Sequence, residues 1–139
     1  MIEKFKTEAP NAKFSIVLDT LTKYEDVARL LKKSWGEIGI ETKIQVVDKI
    51  PEKFQVFLGE FFLSPDPDQY VLWHSDQENN ISRYNNLRID KILEDGRQIS
   101  DIETRKKIYA DFLKYFSSDP PASFLFFPFS YDVIRKTAN

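Results

Sequence analysis

Residues 13–48 read KFSIVLDTLTKYEDVARLLKKSWGEIGIETKIQVVD, and this stretch decides the fold. Lys13–Asp19 alternates: Phe14, Ile16 and Leu18 fall on one side, Lys13, Ser15 and Asp19 on the other. A period of two predicts a strand that is at least half buried. Thr22-Lys-Tyr-Glu25 has capping-box spacing, in which the threonine accepts from the backbone and the glutamate returns the bond. The helix it predicts carries Val27, Leu30, Leu31, Trp35 and Ile38 on one stripe, and Gly39 follows as a left-handed cap. Glu41–Asp48 is then a second strand, with Ile44 and Val46 on one face. Strand, helix and strand joined this closely make a βαβ unit, with parallel strands and a right-handed crossover.

The chain on either side extends this unit. Phe54–Leu58 predicts a third strand. Gly59–Asp68 contains Ser-Pro-Asp-Pro-Asp, whose two prolines force a turn at the strand end. Asp68–Trp73 reads as a short helix and the polar stretch Ser75–Asn86 as an exposed loop. Leu87–Ile99 reads as a helix with Ile89, Ile92, Leu93 and Ile99 inward. Ser100-Asp-Ile-Glu103 is a second capping box, opening a helix that buries Ile108, Tyr109, Phe112, Leu113 and Phe116. Asp119-Pro120-Pro121 stops it. Ser123–Tyr131 is a last apolar strand, held to an edge or a bulge by Pro128. The predicted class is α/β: a βαβ unit, further strands and two C-terminal helices. Residues 1–12 form a lead-in, and 13–139 a single lobe.

Composition narrows the chemistry. The 139 residues are 42% hydrophobic and 30% charged, the profile of a globular domain. A net charge of −2 offers no basic field for nucleic acid or an anionic membrane surface. With no cysteine there is neither disulfide nor thiolate chemistry. Four glycines make no phosphate loop, the carboxylates lack calcium-loop spacing, and His74, the single histidine, makes no triad. No metal or other cofactor is expected. Asp66 and Asp68 could pair as acid and base, with Glu60 nearby, but aspartates in one tight turn more simply cap its backbone. What remains is a polar, proline-rich loop at a strand end beside aromatic rings, a position where open α/β sheets bind ligands.

Four segments in order resemble the extracellular solute-binding proteins that deliver peptides to ABC importers. They are Ala28-Arg-Leu-Leu-Lys-Lys-Ser-Trp-Gly-Glu-Ile-Gly-Ile-Glu-Thr-Lys-Ile; Phe57-Leu-Gly-Glu-Phe-Phe-Leu-Ser-Pro-Asp-Pro-Asp-Gln-Tyr; Trp73-His-Ser-Asp-Gln with Asn80-Ile-Ser-Arg-Tyr-Asn-Asn and Ile89-Asp-Lys-Ile-Leu; and Arg105-Lys-Lys-Ile-Tyr with Asp119-Pro-Pro-Ala and the final apolar strand. The resemblance implies one lobe, the C-terminal one, of a two-lobed type II periplasmic-binding-protein-like fold. It implies a non-enzymatic role, with ligand enclosed between lobes that close by hinge bending. The partners it implies are a peptide or other small solute, an N-terminal lobe of the same parent chain and an ABC permease complex, with no nucleic acid. The implied location is extracytoplasmic, periplasmic or lipid-anchored, and residues 1–10 show no apolar leader.

The expected ligand wall is Gly59, Glu60, Phe61 and Leu63 with Trp73, His74, Asn80 and Tyr84. One departure stands out. Where many peptide binders carry an acidic residue for the ligand's α-amino group, this sequence has Leu63. Two other readings compete: a small hydrolase using Glu60, Asp66 or Asp68, and a stand-alone interaction domain docking through Phe124–Phe129.

Overall fold

The computed structural model describes residues 14–62 and 65–129, which fall into two compact units divided between Leu63 and Ser64. The lead-in 1–12, Lys13, Leu63 and the end of the last predicted strand lie outside the described residues.

The first unit is the βαβ element with one strand added. Strand β1, Phe14–Leu21, lies between β2, Ile40–Val47, and β3, Val56–Leu58. Both pairings are parallel, with Leu18 opposite Ile44 on one side and Val56 on the other. Side chains in register share a face, so Leu18, Ile44 and Val56 line one side of the sheet, where Leu18 is fully buried. Thr20 is buried two residues on, and its hydroxyl donates to the Leu58 carbonyl at 3.2 Å.

Helix α1, Glu25–Glu37, packs on β2 and β1. Gly39 has φ 86°, the left-handed cap expected of it. Two expectations fail here. No capping box forms: Thr22–Tyr24 is a 3₁₀ turn and α1 starts at Glu25, capped by Tyr24 without a side-chain bond. The turn moves the helix start beyond reach of the Thr22 hydroxyl, and Glu25 pairs forward with Arg29 at 2.6 Å. Leu30 is exposed because the buried face centres on Ala28, and two residues of helix rotate Leu30 about 200° away from it.

The second unit is helical. The single turn α2, Tyr70–Trp73, is followed by a loop to Asn86, then α3, Leu87–Gln98, and α4, Ile102–Ser118. Helix α3 packs on both α4 and α2. Ile89 and Leu93 of α3 are fully buried, and Tyr109, Phe112 and Phe116 of α4 are nearly so. Phe116 is the hub of an aromatic cluster, stacked on Phe112 at 5.0 Å and tilted against Trp73 at 4.9 Å. Gly96 lets α4 approach closely: a Cβ there would lie 3.1 Å from the Tyr109 ring.

Three more expectations are corrected. The cap of α4 is Asp101, not Ser100: its carboxylate accepts from the Thr104 N–H at 2.8 Å, while Glu103 pairs with Lys106. Leu113 is exposed rather than core. The predicted strand from Ser123 does not form over 123–129: these residues join no sheet, and Phe126, Phe127 and Phe129 are exposed. An apolar run needs a neighbouring strand to satisfy its backbone, and Pro128 withdraws one donor from such a ladder. Phe124 alone of these rings reaches the aromatic cluster, 6.2 Å from Phe116.

Candidate functional site

In the first unit the parallel register fixes what stands at the carboxyl edge of the sheet. Thr20 pairs with Leu58, so the turn after β1 and the segment after β3 emerge side by side. There Glu60 accepts from the Lys23 ammonium through Oε1 and from the Tyr24 hydroxyl through Oε2. The ammonium also lies 5.1 Å from the centre of the Tyr24 ring. The lysine, and then the tyrosine, hold the Glu60 carboxyl below its ordinary pKa, and Glu60 raises both Lys23 and Tyr24. The lysine and glutamate side chains remain 53% and 31% exposed, so the group faces solvent. A Cβ on Gly59, next to it, would run into the Phe57 ring unless that ring moved. Phe61 is half-buried in the same unit.

In the second unit the Pro-Asp-Pro-Asp turn is pinned to the helices. Asp66 accepts from the Asp68 N–H at 2.8 Å, closing an Asx turn, and receives both guanidinium nitrogens of Arg105 at 2.7 and 3.0 Å. Asp68 accepts from the Tyr70 N–H at 3.0 Å and from Arg97 Nε at 2.8 Å. Arg97 also stacks over Tyr70, 4.2 Å from the ring centre. The arginine beside Asp66 holds that carboxyl below its usual range. Both aspartates therefore serve turn geometry. An acid/base pair needs a carboxylate turned toward a substrate, and these two are turned toward arginines.

Trp73, His74, Asn80 and Tyr84 come together in this second unit, all buried. The Ser75–Asn86 segment is thus not a purely exposed loop, and Asn80 is the reason. Its amide nitrogen donates to the carbonyls of His74 at 3.3 Å and Tyr84 at 2.7 Å. Its oxygen accepts from the Tyr84 N–H at 3.0 Å and the Ser82 hydroxyl at 2.9 Å. That uses the full bonding capacity of an asparagine. His74 accepts from the Asp76 N–H at Nδ1, so Nε2 carries the proton, 3.5 Å from Glu94. Its ring stacks on Tyr70 at 4.2 Å. Ser75 donates from its N–H and its hydroxyl to the buried Asp90 at 2.9 and 2.7 Å. Among the described residues no group of three or more His, Cys, Asp or Glu side chains could hold a metal.

The sequence reading missed Lys23, Tyr24, Asp90, Arg97 and Arg105. Lys23 and Glu60 are 37 residues apart and meet only through strand register, which one sequence does not display. Arg105 carried a signal, as a basic residue two helices beyond an aspartate-rich turn, but so do many solvated helix faces.

The chain is similar, in sequence and in fold, to part of the extracellular solute-binding proteins of the oligopeptide/dipeptide ABC-importer type. It is similar to the oligopeptide-binding protein AppA of Bacillus subtilis, 32% identical over 116 residues. That alignment takes in 75% of this chain but 21% of AppA, so the chain spans about a fifth of the curated relative. The structure of AppA in complex with a nonapeptide superposes with a TM-score of 0.71 at 31% identity, over 79% of this chain and 25% of that one. DppA from Helicobacter pylori, solved with the peptide STSA, shares the fold at a TM-score of 0.71 and 22% identity, over 86% and 27%. NikA from Staphylococcus aureus, in complex with Ni(L-His)2, does so at 0.72 and 23%, over 87% and 30%. No family model matches the sequence.

Proposed function

We propose that the chain is the C-terminal ligand-binding lobe of an extracytoplasmic substrate-binding protein serving an ABC importer, that its ligand is a peptide, and that it has no catalytic activity. The observation that carries this reading is the match to AppA, a relative at 32% identity, whose structure holds a nonapeptide. The engagement of Glu60, Asp66 and Asp68, each by a cation, supports a binding role over acid/base chemistry at these three residues. No helix among the described residues is long and apolar enough to cross a membrane.

The wall proposed to meet ligand is Gly59, Glu60, Phe61 and Leu63. Trp73, His74, Asn80 and Tyr84 are the residues proposed in the second unit, where His74, Asn80 and Tyr84 also shape their own loop. Peptide bound along such a wall is held mainly by main-chain hydrogen bonds, which tolerate sequence variation. In this reading a second lobe, from the same parent protein, closes over the ligand.

The test is a titration of the ¹⁵N-labelled chain with an uncharged nonapeptide, followed by NMR. Shifts at Gly59–Phe61 with a Kd near 1 mM, worth about −4 kcal/mol, are expected of half a cleft. Nanomolar binding by the chain alone, or cleavage of the peptide, would overturn the reading.

A further inference from the structure

The Glu60 carboxylate is already paired before any ligand arrives. The ammonium that holds it is built into the chain, on the turn that leaves β1, and the Tyr24 hydroxyl takes the other oxygen. The group carries no net charge, because Lys23 and Glu60 cancel. It lies at the carboxyl edge of a parallel sheet, where Thr20 and Leu58 pair two residues before Glu60.

We propose that Lys23 is a specificity determinant. Its tethered ammonium fills the one acidic position on this wall, so the protein gives no preference to ligands that bring an ammonium of their own. This rests on the reading of Gly59–Phe61 as a ligand wall.

Three features converge on the assignment. Each carboxylate oxygen already accepts a bond, from a different donor, and Lys23 balances the charge, so an incoming ammonium competes with a resident cation and would sit beside it. The lysine is also guided from the side, since its ammonium lies over the Tyr24 ring. In the sequence, position 63 is leucine, which supplies no substitute charge. Ligands suited to such a surface are neutral at this point: chains that lie across the wall with their amino end elsewhere, or whose amine is blocked. A half-exposed ion pair is worth little, so freeing Glu60 should create a preference of about fivefold rather than an absolute one.

The experiment uses the whole chain and two probes, a nonapeptide amide with uncharged side chains and a free amino terminus and its N-acetylated counterpart, titrated by NMR. Wild type should bind the two within about twofold. Lys23→Met keeps the apolar stem but frees Glu60, and should favour the free-amine peptide by about fivefold. Lys23→Gln, a second variant in case methionine disturbs the turn, should act in the same direction. The double variant K23M/E60Q should lose the preference. Lys32→Met removes the same charge from an exposed position on α1 and should create none.

A wild-type preference for the free amine that Lys23→Met leaves unchanged overturns the proposal while the binding wall stands. So does an equal gain for both peptides. If neither peptide moves the Gly59–Phe61 signals in any variant, the binding-wall reading itself falls and takes this inference with it.

Discussion

At the scale of single residues, Asn80 shows how a side chain chosen as a ligand contact can be indispensable for another reason. Its four hydrogen bonds are all made to its own loop. Replacing it with alanine leaves buried backbone groups of Tyr84 and His74 unsatisfied, at a cost of about 2–3 kcal/mol. Asn80→Ala is expected to lower the urea midpoint at unchanged m-value, with amide shifts concentrated over His74–Asn86. Loss of peptide binding without loss of stability would show direct contact instead. The asparagine was legible as special, because it sat in a motif, but its role was not. Nothing in a polar stretch rich in Asn and Gln distinguishes a residue that faces solvent from one that turns inward to hold the backbone. Gly39 is the opposite case. A glycine between an apolar periodic run and a β-branched strand has one common use, and its φ of 86° matches it.

At the scale of elements, helix starts show why spacing alone misleads. Thr22…Glu25 and Ser100…Glu103 both have the capping-box pattern, yet neither forms one. In the first a 3₁₀ turn intervenes; in the second Asp101, one residue later, makes the cap itself. Asp101→Ala is therefore expected to cost about 1 kcal/mol, and Ser100→Ala close to nothing. Thermal melts of the two variants separate these cases, and equal losses would restore the box. Strand and helix periods were legible because burial imposes them over many residues, as in Ile89, Leu93, Tyr109, Phe112 and Phe116. The row Phe124–Phe129 misread as a strand because hydrophobicity records only a preference for burial, while a strand also needs a neighbour to pair with.

At the scale of the molecule, acid sensitivity follows from three carboxylates. Lys23 holds Glu60 below its ordinary 4.5, Arg105 holds Asp66 below 3.8, and Thr104 holds Asp101 below 3.8. Each is more acidic folded than unfolded, so the unfolded chain binds protons first as the pH drops. The stability they supply is fully present above about pH 5 and is lost as pH falls through their folded values, below about 4.5 and then below about 3.8. The urea midpoint should be level from pH 7 to pH 5 and then decline, with a shallower decline in Asp66→Asn. Because all three are exposed, salt should reduce the effect. A midpoint that rises on acidification would contradict this assignment.

The pinned turn also bears on the order in which the second unit assembles. Asp66 and Arg105 are 39 residues apart, Asp68 and Arg97 29 apart, whereas α3 and α4 meet through a connection of three residues. Short-range contacts close faster than long-range ones, so the helical hairpin should precede the aspartate–arginine pairs, which join after the rate-limiting barrier. Arg105→Gln should then accelerate unfolding while leaving the refolding limb of the chevron in place. The turn would be the last part to lock and the first to release, a kinetic hinge made from two ion pairs.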